Sequence, residues 1–347
     1  MKKILSVILA SASLLLSMLI SSCDIPTPAR DGKTRSWYFY DYFDTVCELR
    51  DLSGEGEAKF GERRDAVEAE LSLCNKLFDI YHTYEGIINL KSINDAAGNG
   101  AWLAVDSRII ELLTLSKEIY TLTDGNMNVL MGSVLSIWHD ARTLEGEDDE
   151  YYLPDMDALR AAAEHTAISS LEIDADGGRV RITDPGASLD VGAVAKGYAA
   201  QRVEEMLRAG GLSAFMLDFG GNIVVGEKLN GDGTSVAVRN PSATGGAYAR
   251  VINIKNCALV TSGVDQRFFE YCGVRYHHII DKDTLMPKND YLSVSVCIES
   301  SAMADALSTA LFNMSVEDGQ RIASILGNVE LTYVFPNGEV LVVSSEC

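Results

Sequence analysis

The sequence predicts one large α+β domain over residues 37–347. Three observations predict it. Residues 188–226 read as an extended segment, a glycine-punctuated turn, an amphipathic helix, a glycine stop and a buried strand. One-sided apolar stripes of helical period recur over residues 63–78 and 107–121. Short β-prone runs separated by turn residues fill most of the remainder, ending in two strands joined by Asn337-Gly338. With 347 residues, 47% hydrophobic and 23% charged, the chain can bury a sizeable core. Length alone would also allow two domains.

The elements follow in order. Residues 37–49 are aromatic and β-prone. The 63–78 helix puts Val67, Leu71, Cys74, Leu77 and Phe78 on one face, and the 107–121 helix does the same with Ile110, Leu113, Leu115 and Ile119. Residues 145–150 form an acidic loop, 155–165 a helix, and 168–174 with 179–183 a hairpin across Gly177-Gly178. In the central stretch, Ala195, Ala199, Val203, Met206 and Leu207 make the apolar stripe, and Gly210-Gly211 ends the helix. Residues 214–219 read as a core strand, and Gly220-Gly221 lets a ligand or another backbone come close. Strands follow at 234–240, 248–254 and 291–298, with Ser262-Gly263 read as a turn. In the 300–314 helix, Met303, Ala306, Leu307, Ala310, Leu311 and Met314 form the core face. Asp305 and Thr309 lie one turn apart on the opposite side. Such a pair is most often merely solvated.

The N-terminus carries an address. Lys2 and Lys3 precede an apolar stretch over 4–20, and small residues lead to Cys23. This resembles a bacterial lipoprotein signal. Residues 1–22 would be the signal peptide, Cys23 the lipidated N-terminus and 23–36 a tether. The expected location is the cell envelope, on a membrane through the lipid anchor, facing away from the cytoplasm. A net charge of −21 excludes the basic footprint of a nucleic-acid binder. The cysteines at 23, 47, 74, 257, 272, 297 and 347 have no C-x-x-C spacing, which argues against zinc. Disulfides and buried free thiols both remain open.

Residues 188–226 resemble the signature D-x-G-(G/A)-x-A-K-G-Y…D-x-G-G-(N/D) of the FAD:protein FMN transferase (ApbE) family. Asp190, Gly192, Ala195, Lys196, Gly197, Tyr198, Asp218, Gly220, Gly221 and Asn222 fall in register. Further stretches resemble the same family: GNMNVLMGSVLSIWH from Gly125, with Asn128 in place of the usual acid and Ser133 in place of proline; ALVTSGVDQRFF from Ala258; YHHIIDKDTLMP from Tyr276, with Lys282 and Leu285 in place of proline and glycine; and SSAMADALSTALF ahead of Asn313. Phe43-Asp44-Thr45 aligns with the family's first flavin contact, although only Thr45 matches.

The resemblance implies an ApbE-like, T-fold-related arrangement of mixed sheets flanked by helices. It implies an enzyme that cleaves the diphosphate of FAD and transfers FMN to a Thr or Ser hydroxyl of a partner, typically a membrane electron-transport subunit. A Mg2+-like cation would be held by Asp305, Thr309 and the backbone carbonyl of Ala193. Flavin or phosphate contacts would come from Phe43, Tyr81, Asn126, Met127, Asn128, Asp190, Lys196, Ser262 and Ile279. Asp305 and His278 would be catalytic, with the adjacent His277 an alternative to His278. A Mg2+-dependent FAD pyrophosphatase and a flavin-carrying lipoprotein without turnover are the other readings.

Overall fold

A computed structural model describes residues 32–143, 152–228, 230–242 and 246–345. The signal segment, Cys23, the acidic loop over 145–150 and Cys347 lie outside the described residues. The last residues assigned to the tether are already structured, because strand β1 begins at Arg35 (Arg35–Tyr42) and pairs antiparallel with β2 (Thr45–Asp51). The turn between them puts Phe43 and Asp44 in the left-handed region, at φ 56° and 52°.

An eight-stranded sheet forms the centre, in the order β1-β2-β6-β7-β10-β13-β14-β15. Its later members are β6 (Phe215–Phe219), β7 (Asn222–Val225), β10 (Cys257–Gly263), β13 (Ser293–Ile298), β14 (Glu330–Val334) and β15 (Val340–Ser344). The α+β class stands, with one correction: every strand pairing in this sheet is antiparallel rather than mixed. The extended segment before the central helix makes one parallel bridge, between Met131 and Ser188.

Helices α1 (Glu57–Phe78), α3 (Ser107–Leu122), α6 (Ala195–Ala209) and α7 (Ser301–Phe312) supply most of the cover. Shorter helices are α2 (Leu90–Asp95), α4 (Gly132–Thr143), α5 (Met156–Ala163) and α8 (Val316–Leu326). Helix α7 contacts β7, β10 and β13 and packs beside α6, which itself contacts β6 and β7. Its many alanines and serines permit that close approach, and Ala302, Ala304, Ala306, Ala310, Leu311 and Phe312 are fully buried. Small sheets sit at the margins: β3 (Leu103–Ala104), β5 (Arg179–Ile182) and β4 (Leu171–Asp174); β8 (Thr234–Arg239) and β9 (Tyr248–Ile254); β11 (Phe268–Tyr271) and β12 (Val274–His277).

A second apolar cluster joins α4 to the β11–β12 hairpin. Trp138 stacks on Tyr276 at 6.1 Å between ring centroids, and Tyr276 on Phe269 at 5.4 Å. The Trp138 indole N–H donates to the Leu285 carbonyl at 2.9 Å. Leu285 holds φ 60°, a left-handed conformation that a glycine would take without strain. Burial of its side chain and the indole bond hold it there. The described cysteines are all free thiols; Cys47, Cys74 and Cys297 are buried, and Cys257 lies 3.1 Å from Cys297 between sulfurs.

Candidate active site

Two helices meet at a residue without a side chain. Gly197 lies in the first turn of α6, where an added Cβ would come within 2.5 Å of the Asp305 Cβ and closer still to the Ser301 carbonyl oxygen. This approach lets the Gly197 N–H donate to Asp305 Oδ2 at 2.8 Å. Lys196 Nζ lies 4.0 Å from Asp305 Oδ1. Asn222 also faces the carboxylate, but its amide nitrogen completes no hydrogen bond. Asp305 is 3% exposed, and burial pushes its pKa up against the pull of Lys196 and the Gly197 amide. Asp305 is therefore not on a solvated face opposite the core, as the apolar stripe of α7 alone suggests. Helix α6 covers that side.

Ser262 is not part of a turn. Strand β10 continues through Gly263, with Ser262 opposite Val294 and Gly263 opposite Ser293 on β13. The backbone of Ser262 and Gly263 therefore lies within a ladder. The Ser262 hydroxyl bonds Ser308 Oγ at 2.8 Å and Thr309 Oγ1 at 3.2 Å. It thus stands beside the α7 hydroxyls one turn beyond Asp305.

The bend over 192–194 precedes α6 as expected, with Ala193 partly exposed. Asp190 accepts the Gly192 N–H at 2.8 Å and gives its own N–H to the Val129 carbonyl at 2.8 Å. Asn94 clamps the preceding residue: its Oδ1 accepts the Leu189 N–H at 2.7 Å, and its Nδ2 donates to the Leu189 carbonyl at 3.0 Å. The run through Ser188 is thus bound to α2 through Asn94, and to the segment before α4 through the Asp190–Val129 bond and the Met131–Ser188 bridge. Gly132 allows this contact, since any Cβ there would strike the Ser188 carbonyl.

The two histidines separate cleanly. His277 is buried, with Nε2 donating to the Lys288 carbonyl at 2.8 Å and Nδ1 accepting the Ile279 N–H at 3.2 Å. Both ring nitrogens are used in holding the hairpin. His278 Nδ1 has no hydrogen-bond partner. Burial, with His277, Arg142, Arg267 and Lys196 around it, pushes the His278 pKa down to about 3. It is neutral at pH 7 rather than titrating there. Ile279 is buried beside it and offers backbone rather than side-chain polarity.

The remaining expected contacts fall into two groups. Tyr81 is 57% exposed, its ring 5.5 Å from His139 of α4, and Asp190, Arg142, Arg267 and Asp44 all act on its hydroxyl. Phe43, whose N–H is held by Asn75 Oδ1 at 3.0 Å, stands next to Asp44, which pairs with Arg267 at 3.5 Å. Tyr81, Phe43, Asp190, Lys196 and His278 therefore share one electrostatic neighbourhood. The Asn126–Asn128 turn is engaged elsewhere. Asn126 Nδ2 donates to the Thr123 carbonyl at 2.9 Å, and the Met127 N–H to Thr123 Oγ1 at 3.1 Å. Asn128 Oδ1 accepts the Leu130 N–H at 2.9 Å, and its Nδ2 donates to the Thr166 carbonyl at 2.8 Å. An aspartate could not make the second of these bonds. Asn128 also lines a cavity of about 290 Å³ with Asp124, Gly125, Lys282 and Asp283, which includes neither Asp305 nor His278.

The chain belongs to the ApbE family, whose model matches residues 43–333. The FAD:protein FMN transferase of Treponema pallidum is 30% identical over 318 residues, covering 85% of this chain and 83% of that protein. The ApbE protein of Thermotoga maritima superposes with a TM-score of 0.76 at 25% identity, covering 90% of this chain and 97% of that one. The flavin transferase ApbE of Vibrio cholerae shares the fold with a TM-score of 0.75 at 22% identity, over 90% and 98% of the two chains.

Proposed function

We propose that the protein transfers FMN from FAD to a Thr or Ser hydroxyl of an acceptor protein, releasing AMP, with a divalent cation bound at Asp305. The observation that carries this reading is the Asp305 carboxylate, 3% exposed, with one N–H bond from Gly197, the Asn222 amide facing it and the Lys196 ammonium 4.0 Å away. A buried carboxylate with so little compensation is costly unless a cation completes it.

The donor set fits a hard divalent ion: the Asp305 carboxylate, the Thr309 hydroxyl and the Ala193 carbonyl are all oxygens. Among the described residues no group of three or more His, Cys, Asp or Glu gathers to hold a metal. When bound, the cation would neutralise charge on the diphosphate.

The chain's own residues do the rest. The acceptor hydroxyl oxygen attacks the phosphorus that carries the flavin, and the bond from that phosphorus to the bridging oxygen breaks. AMP leaves with both bonding electrons on its phosphate. The hydroxyl proton passes to neutral His278, whose basicity rises when the diphosphate brings negative charge among the surrounding cations. Lys196 adds positive charge beside Asp305. Tyr81 and Phe43 offer apolar faces to the flavin, and Asp190 can accept from its ribityl hydroxyls.

The natural acceptor would be a membrane electron-transport subunit with a D-x-x-(S/T)-(G/S)-A-(T/S)-like motif. Lipidation at Cys23 would bring the enzyme to it at the envelope. Among the described residues no helix is long and apolar enough to cross a membrane. The test incubates the protein with FAD, Mg2+ and a peptide bearing that motif. AMP together with a peptide heavier by FMN less water supports transfer. AMP with free FMN supports a pyrophosphatase, and intact FAD removes the enzymatic reading.

A further inference from the structure

Arg142 belongs to none of the motifs above and holds a buried donor without a partner among the described residues. It lies on α4 one turn beyond Trp138, so the two share a helix face. The Trp138–Tyr276–Phe269 stack and the Trp138 bond to Leu285 fix that face against the β11–β12 hairpin. On the neighbouring side, His139 packs against Tyr81. Arg142 is thus delivered between Tyr81 and the hairpin that ends at His277. Its Nη1 is buried and has no hydrogen-bond partner. Burial, with Arg267 close by, pushes its pKa down, while Tyr81 and Asp190 pull it up. His278 Nδ1 is a second buried atom without a partner in the same neighbourhood. The chain carries a net charge of −21, yet Arg142, Arg267 and Lys196 all bear on one histidine. A buried guanidinium donor left unpaired costs free energy comparable to a lost charged hydrogen bond, which a phosphoryl oxygen would recover.

We infer that Arg142, assisted by Arg267, binds the substrate's diphosphate beside His278. The inference rests on the transferase reading and adds to it a second, purely cationic hold on the same anion. Arg267 pairs loosely with Asp44 at 3.5 Å and is more than half exposed, so it can turn to an arriving anion. The planar fork of arginine also orients phosphoryl oxygens in a way that a lysine point charge does not.

The test uses inorganic diphosphate without metal, and riboflavin, as separate probes of the full-length protein. Binding is read by thermal shift for diphosphate and by flavin fluorescence for riboflavin. Wild type should bind diphosphate with an affinity that falls as salt rises. Arg142→Gln should weaken diphosphate binding about tenfold or more while leaving riboflavin affinity unchanged, and Arg142→Lys should fall between. Arg267→Gln should weaken diphosphate binding by a smaller factor, and it stands in if Arg142→Gln fails to fold. Diphosphate binding that is absent in wild type, or undiminished in the variants, overturns the inference. FMN transfer by wild type, measured separately, shows whether the transferase reading stands regardless.

Discussion

Replacing Gly197 by alanine tests the helix contact on which the site is built. The new Cβ would lie 2.5 Å from the Asp305 Cβ and 3.0 Å from the Ser301 carbonyl carbon, and both belong to α7 itself rather than to a flexible tip. Ordinary carbon contacts sit near 3.5–4 Å, so α7 must retreat by about 1 Å. Overpacking of this kind costs roughly 1–3 kcal/mol. The 2.8 Å bond from the Gly197 N–H to Asp305 stretches with it, and a hydrogen bond to a charged group is worth about 1.5–3 kcal/mol. Alanine returns up to about 1 kcal/mol of helix propensity. The net expectation is a loss of roughly 2–5 kcal/mol in urea unfolding, together with loss of activity. Gly61→Ala is the control, because no atom lies within 4 Å of a Cβ placed there in α1. It should stabilise by up to about 1 kcal/mol. If Gly197→Ala gained stability as Gly61→Ala does, the close approach of α6 to α7 would be wrong.

Three further outcomes follow from the same geometry. His278 has its pKa lowered from 6.5 to about 3, so the fold favours the neutral ring; its contribution is complete above pH 6.5 and is lost as pH falls toward 3. Unfolding free energy should therefore drop by about 1 kcal/mol between pH 6 and pH 5, and His278→Gln should flatten that slope; an unchanged slope would remove the burial argument. Asn94→Ala leaves both backbone groups of buried Leu189 without their 2.7 and 3.0 Å partners, and should cost about 2–4 kcal/mol in denaturant unfolding. Asp305→Asn removes a carboxylate whose pKa burial has raised. Its melting temperature without metal should equal or exceed that of wild type, and the increase that Mg2+ gives wild type should disappear.

The sequence placed most elements because each carried its own local signal. The α6 stripe from Ala195 to Leu207 and the glycines after it fix a helix and its end without tertiary help. Where it misled, distant packing decided the matter. Thr261-Ser262-Gly263 has the composition of a turn, yet pairing with β13 keeps it extended. The α7 stripe identifies a core face, but periodicity cannot reveal that α6 buries the other face, so Asp305 reads as solvated. Two adjacent histidines look equivalent until the Lys288 carbonyl and the Ile279 N–H occupy both nitrogens of His277. Arg142 gave no signal, because its setting depends on aromatic rings more than a hundred residues further along the chain. Arg267 was visible within the R-F-F run, but nothing there pointed to its role beside His278.

The most direct test of the account measures AMP release and acceptor labelling with Mg2+ titrated, for wild type and Asp305→Ala side by side. Wild type should release AMP and label the peptide in a Mg2+-dependent way, and the variant should do neither while still binding riboflavin. Equal AMP release by the two proteins, or release by wild type indifferent to chelation of the metal, would contradict the claim that this buried carboxylate holds the cation on which transfer depends.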